Sequence, residues 1–201
     1  MFIIGITGPT GAGKSSALQA LQALGALTLD CDEIYHEMLL SNTEMTAEIE
    51  ARFKGALIKG EIDRHMLGKL VSDDPAALQE HNKITHSYIR AEVDRRIALF
   101  EAQGGIVAAI DAIALIESGQ SERCDTVVGV IAPAQARLSK IMERDRLTSE
   151  QARSRIRAQQ PDSYYKENCD HILENTFETQ EEFKQECTEF FKKLINTPIN
   201  T

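Results

Sequence analysis

The chain has 201 residues, 42% of them hydrophobic and 26% charged, which is the balance of a globular protein able to close a core of its own. Its net charge of −9 leaves no overall positive field to attract a nucleic-acid backbone or an anionic membrane surface, so neither is expected as a partner and any anionic ligand must be met by local positive groups. The cysteines Cys31, Cys124, Cys169 and Cys187 are widely spaced, with no C-x-x-C pair and no His/Cys cluster of zinc spacing, as expected for reduced thiols of a cytoplasmic protein. The chain opens directly on a strand pattern, and no apolar run approaches ~18 residues, so neither export nor membrane insertion is expected.

Phe2 to Thr7 is a short apolar run of the kind that forms a buried parallel strand. It leads into Gly8-Pro9-Thr10-Gly11-Ala12-Gly13-Lys14-Ser15, which fits the phosphate-loop template G-x-x-x-x-G-K-[ST] in full. The glycines let the backbone curl so that successive N–H groups converge on phosphate oxygens at the positive end of the next helix. Lys14 is expected to reach the β- and γ-phosphates, and Ser15 to offer its hydroxyl to Mg²⁺, with Ser16 a weaker second candidate. The helix itself reads from Lys14 to about Leu24 on the spacing of Ala17, Leu18, Leu21 and Leu24, and Gly25 stops it. Ala26 to Leu29 is a second strand ending on Asp30-Cys31-Asp32, which places two carboxylates at a strand end, where ligands of doubly wound α/β folds sit.

From Glu33 to about Gln103 the pattern is mostly helical, with no further strand of the sheet in evidence. Roughly seventy residues are far more than one crossover needs, so this stretch reads as a helical subdomain inserted over the site. Its lone histidines His65, His81 and His86 have structural or solvated readings beside any functional one, and Met38, Met45 and Met66 read as packing. Ile106 to Ile110 is a continuous apolar strand ending on Asp111, which either holds a metal from the strand tip or caps the next turn. Thr126 to Ile131 is the next strand, followed by a helix over Ala134 to Arg146; Thr148 with Gln151 is a capping-box signal for another. The run Arg137, Lys140, Arg144, Arg146, Arg153, Arg155 and Arg157 is either a solvated face or the arginine-bearing lid of a phosphoryl-transfer enzyme. Asp170 to Asn175 reads as a last strand and turn, and Glu178 to Leu194 as a closing helix with Phe183, Phe190 and Leu194 turned inward.

This order of motifs resembles the dephospho-coenzyme A kinases. The family's T-G-x-x-G-x-G-K-S is matched by Thr7 to Ser15 and its Asp-Ala-Asp by Asp30-Cys31-Asp32, while its Leu-His-Pro becomes Thr85-His86-Ser87. Its Asp-x-Pro-Leu-Leu-Phe-Glu-x-Gly becomes Asp111 to Gly119, with Ile113-Ala114 in place of Pro-Leu and Glu117 retained. Arg144-Asp145, then Arg155-Ile156 through Gln159, match its lid, and Cys169 to Asn175 echo its late Ala-Asp-x-Val-Ile-x-Asn.

The resemblance implies a three-layer α/β P-loop kinase fold with a mostly parallel sheet. Residues 1–32 and 104–201 would form the nucleotide-binding core, with the lid at about 137–160, and residues 33–103 the inserted helical acceptor-binding subdomain. The activity it implies is transfer of the γ-phosphate of ATP to the ribose 3′-hydroxyl of dephospho-coenzyme A, the last step of coenzyme A synthesis. Catalysis would fall to Asp32 as base, with Lys14 and Arg144 stabilising charge. Gly8, Gly11, Ala12, Gly13, Lys14, Ser15, Ser16 and Asn175 would hold ATP, with Ser15 on Mg²⁺, and Asp30, Asp32, His86, Asp111 and Glu117 the acceptor. The implied enzyme is a cytoplasmic monomer or weak homo-oligomer acting on a small molecule. A nucleoside monophosphate or other small-metabolite kinase would surround its acceptor with arginines rather than two aspartates. A nucleotide-binding switch protein reading guanine would need N-K-x-D, whereas Asn82-Lys83 is followed by Ile84-Thr85.

Overall fold

The computed structural model describes residues 1–58, 60–72 and 74–196. In chain order its elements are β1 (Phe2–Thr7), α1 (Lys14–Ala23), β2 (Leu27–Asp30), α2 (Cys31–Ser41), α3 (Thr43–Arg52), β3 (Leu57–Ile58), β4 (Glu61–Ile62), α4 (Arg64–Ser72) and α5 (Pro75–Ala102). There follow β5 (Val107–Asp111), a 3₁₀ turn (Gln120–Arg123), β6 (Thr126–Ile131), α6 (Ala134–Asp145), α7 (Ser149–Arg157), α8 (Asp162–Asn168), β7 (His171–Glu174) and α9 (Gln180–Asn196). The chain divides into two compact units, Met1–Leu29 with the chain from Phe100 onward, and Asp30–Leu99.

The first unit is an α/β core on a five-stranded sheet of order β2-β5-β1-β6-β7. Strand β1 runs parallel to β5 and to β6, and β6 parallel to β7. The register pairs Ile6 with Asp111 and Thr7 with Gly129, so the carboxyl ends of the three central strands meet where β1 hands over to the glycine loop. Continuous apolar runs form these strands because a parallel sheet is covered on both faces, and Ile4, Ile6, Val128 and Val130 are fully enclosed. On one face α1 and α9 supply Ala17, Ala20 and Leu21 with Phe183, Cys187 and Phe191. That differs from the expected stripe on α9: Phe183 is fully buried, but Phe191 rather than Phe190 continues it, and Phe190 and Leu194 only flank the cluster. Helices α6 and α7 close a small core of their own from Leu138, Ile141 and Ala152.

The second unit is helical but not wholly so. Residues β3 and β4 form a two-stranded antiparallel ribbon within the stretch read as helical. Strands of two residues are too short to show an alternating pattern, which is why the sequence concealed them. Its core is Ile34, Met38, Met45, Ile49, Phe53, Leu67 and Val93. Met66, expected to pack, is exposed. Asn42 closes α2 and caps α3, its side chain accepting from the Met45 amide at 2.9 Å. Tyr35 on α2 shares a hydrogen bond of 3.0 Å with His81 Nε2 on α5.

Candidate active site

The loop between β1 and α1 turns at Gly8, Gly11 and Gly13 through backbone that favours glycine. Gly8 has φ of 140°, and a Cβ there would lie 2.0 Å from the Val130 carbonyl oxygen. Gly13, at φ 115°, is the residue before α1, and a Cβ on it would come within 2.6 Å of Asn175 Nδ2 and 2.9 Å of Phe183. No side chain caps α1, and its first turn carries no acidic residue. The first-turn amides of a helix have no acceptor inside the helix, so this uncapped end presents N–H groups and the positive end of the helix dipole to an anion.

Three side chains brace the loop from beneath. Asn175, only 5% exposed just beyond β7, donates its Nδ2 to the Ala12 carbonyl at 2.9 Å. Arg137, in the first turn of α6 and 4% exposed, donates Nε to the Thr10 carbonyl at 3.1 Å. Gln159, beyond α7, accepts from the Thr10 amide at 3.1 Å and donates Nε2 to the Thr10 hydroxyl at 2.6 Å. In the basic run read as either a solvated face or a lid, Arg137 is a buried member. Burial pushes its guanidinium below the ordinary arginine range while Asp162 opposes that shift, and it remains a cation under the loop.

Lys14 folds back so that Nζ donates to the Gly8 carbonyl at 3.0 Å, within the loop it is expected to serve. Ser15 is exposed on the first turn of α1, whereas Ser16 is 3% exposed and its amide closes on the Gly13 carbonyl at 2.9 Å. Of the two serines, the open one is Ser15. Asp111 is the buried last residue of β5, beside Ile6, and Thr7 Oγ1 donates to the Ile113 carbonyl at 3.2 Å, tying the two strand ends together. Glu117 follows in the exposed loop and accepts from Gln160 Nε2 at 3.4 Å.

Arg144 is exposed at the end of α6 and forms a two-pronged pair with Asp145, at 2.7 and 3.0 Å. Arg155 on α7 reaches the same carboxylate. Bonding to Arg144 first, and the charge of Arg155 beyond it, holds the Asp145 carboxyl below the usual carboxylate range.

Of the acceptor residues expected from sequence, Asp30, Asp32 and His86 lie in the helical unit, and Asp111 and Glu117 in the α/β unit. Asp30 ends β2 and caps α2, its Oδ1 accepting from the amides of Asp32 at 2.8 Å and Glu33 at 3.1 Å. Asp32 is thereby fixed by its backbone with its side chain on the exposed side of the first turn. His86 is half-buried on α5; burial, then the charge of Arg90, lowers its tendency to protonate. Its neighbour Ser87 opens on a groove of about 690 Å³ shared with Ala51, Arg52 and Lys83.

The model of the family described as dephospho-CoA kinase matches residues 2–181. The chain belongs to that family. Among its relatives, the dephospho-CoA kinase of Moorella thermoacetica is 37% identical over 162 residues, covering 79% of this chain and 76% of the relative. That of Geobacter sulfurreducens is 33% identical over 195 residues, covering 96% and 98%. Among solved structures, dephospho-CoA kinase from Campylobacter jejuni superposes with a TM-score of 0.69 at 27% identity over 96% of both chains. The structure of TT1252 from Thermus thermophilus gives 0.83 at 27% identity over 98% of both. A shikimate kinase from Acinetobacter baumannii, at 14% identity and a TM-score of 0.56 over 98% of this chain and 96% of its own, shares the fold of a P-loop kinase alone. The enzyme is accordingly a dephospho-CoA kinase, which phosphorylates dephospho-coenzyme A at the expense of ATP in the last step of coenzyme A synthesis.

The contributions of Arg137 and Gln159 to the loop could not be assigned from sequence. Each was visible, one as a basic residue and the other as a lid marker, but nothing in the spacing pointed to Thr10.

Proposed function

We propose that the loop Gly8–Ser15 holds the β- and γ-phosphates of ATP and that the terminal phosphate passes to the ribose 3′-hydroxyl of dephospho-coenzyme A. The observation that carries this is the uncapped, acid-free first turn of α1 behind a loop of left-handed glycines. Gly11, Ala12 and Gly13 would line the phosphates with backbone, and Lys14 would leave the Gly8 carbonyl for the phosphate oxygens. Asn175 serves the nucleotide through the Ala12 carbonyl that it already holds. Ser16, more enclosed than Ser15, would be the weaker contact.

Magnesium fits the donors present. It takes one or two protein oxygens beside the phosphates, and the exposed Ser15 hydroxyl would supply one. When bound, the ion neutralises charge on the transferring group. The protein's own part is orientation and proton removal. A ribose hydroxyl is a poor nucleophile near neutral pH, so Asp32 would orient it and accept its proton, with Asp30 fixing the turn that presents Asp32. Arg144 would exchange Asp145 for the charge on the transferred group. His86, Asp111 and Glu117 would meet the acceptor. In keeping with the net charge of −9 and the free thiols, the enzyme would work in the cytoplasm without nucleic acid, as a monomer or weak homo-oligomer.

The test is ADP release from Mg-ATP in the presence of dephospho-coenzyme A, AMP or water alone. Turnover only with dephospho-coenzyme A is expected, and an efficiency no better than with AMP would overturn the assignment of the acceptor. Asp32→Asn should lower turnover by about 10²-fold or more with ATP binding intact; near-normal turnover would remove Asp32 from the role of base.

A further inference from the structure

We propose that Gln159 is a positioning residue of the donor site, acting through Thr10 to fix the shape of the phosphate loop and to couple that loop to the α6–α7 hairpin. The inference rests on the reading of Gly8–Ser15 as the ATP site. Thr10 lies within the loop, one residue before Gly11, and all three of its polar groups are taken by the two ends of the hairpin. Its N–H donates to Gln159 Oε1 at 3.1 Å, its hydroxyl accepts from Gln159 Nε2 at 2.6 Å, and its carbonyl accepts from Arg137 Nε at 3.1 Å. Gln159 and Arg137 are also joined to each other, Arg137 Nη2 donating to Gln159 Oε1 at 2.8 Å. Arg137 stands at the start of α6 and Gln159 beyond the end of α7, so the hairpin enters and leaves on one residue of the loop.

The chemistry selects an amide. One side chain must accept twice and donate once within a few ångströms, which glutamine does without charge. A glutamate could accept from all three partners if the Thr10 hydroxyl turned its proton toward the carboxylate, but it would set a negative charge beside the bound phosphates. Thr10 is itself buried, so a lost partner is not simply replaced by water. The backbone approach is equally close: a Cβ on Gly11 would lie 3.1 Å from the Arg137 carbonyl oxygen and 3.2 Å from its Cα. Motion of the hairpin that carries Arg144 is therefore transmitted at its stems to the loop that grips the nucleotide.

Gln159→Ala, Gln159→Glu and Thr10→Val are compared with the parent enzyme for kcat, for KM of each substrate and for protection of the Thr10 amide against hydrogen exchange. Misplacing donor phosphates by about an ångström is a loss on the order of 10²-fold, so Gln159→Ala should reduce kcat/KM for ATP by about 10- to 100-fold. The KM for dephospho-coenzyme A should stay within about twofold, since uniform damage to the fold would move both. Gln159→Glu should retain Thr10 amide protection yet raise the KM for ATP, and Thr10→Val should fall between the parent and Gln159→Ala. Equal kcat/KM for ATP in Gln159→Ala and the parent, or an equal rise in both KM values, would overturn the proposal while parental turnover kept the donor-site reading standing. If Gln159→Ala does not fold, Thr10→Val with parental kinetics and unchanged amide protection would overturn it.

Discussion

The phosphate loop and the α6–α7 hairpin both deliver positive charge, and they do so by opposite means. In the loop the charge is that of backbone N–H groups and a helix terminus, held in place by three left-handed glycines, by the buried side chains of Asn175 and Arg137 and by the half-buried Gln159. In the hairpin it is carried by arginine side chains on the surface: Arg144 is 63% exposed, and it and Arg155 share the one carboxylate of Asp145. Surface ion pairs of this kind contribute roughly 0–1 kcal/mol, so little stability is lost when one is broken. Fixed dipoles suit a group that must be bound identically each time, and movable side chains suit charge needed only while the phosphoryl group is in transit.

Gly13→Ala is the harshest test of the fixed half. A side chain there would be strained at φ 115° and would meet Asn175 and Phe183, so ATP binding should be lost and kcat/KM should fall by about 10³-fold or more. The cost to the fold itself should be about 1–2 kcal/mol or more, read as a fall of several degrees in Tm. If Gly13→Ala bound ATP normally, the loop would not be the rigid element described. Arg144→Ala addresses the movable half: kcat should drop by about 10²- to 10³-fold with the Kd for ATP nearly unchanged. A loss confined to ATP affinity would instead make Arg144 part of the fixed grip.

Asp145→Asn frees both arginines and should alter kcat by no more than about threefold, with Tm within about 2 °C of the parent, as suits a surface pair. A large loss of stability would show that the hairpin depends on this carboxylate. The smallest effect concerns acid. The folded Asp145 carboxyl titrates below its ordinary value of 3.8, so its contribution to stability is present above that pH and is lost as pH falls through the lower folded value. Titration of Asp145 by NMR should show the depression in the parent and lose most of it in Arg144→Ala.

The loop was legible in the sequence because each of its requirements is local: glycines where φ is positive, a lysine and serine at the opening of a helix, an apolar strand before them. The Thr148–Gln151 capping box was legible for the same reason, and both of its hydrogen bonds are formed. The buried bracing was not. Arg137 looks in sequence like any other member of a basic run, and only its placement at the foot of α6 separates it from Arg144, which faces solvent. Gln159 meets Thr10 across most of the chain's length, and Phe191 replaces Phe190 in the core because the exact rotation of α9 is set by what it packs against.

By itself the sequence determined the parallel α/β core, the glycine loop before α1 and the family, since these depend on residue types whose backbone and charge requirements act over a few neighbours. The tertiary structure decided which polar side chains stand behind the loop and which arginines lie on the surface. Those choices depend on burial and on contacts between residues far apart in the chain, and they exist only once β1, α6 and β7 have come together.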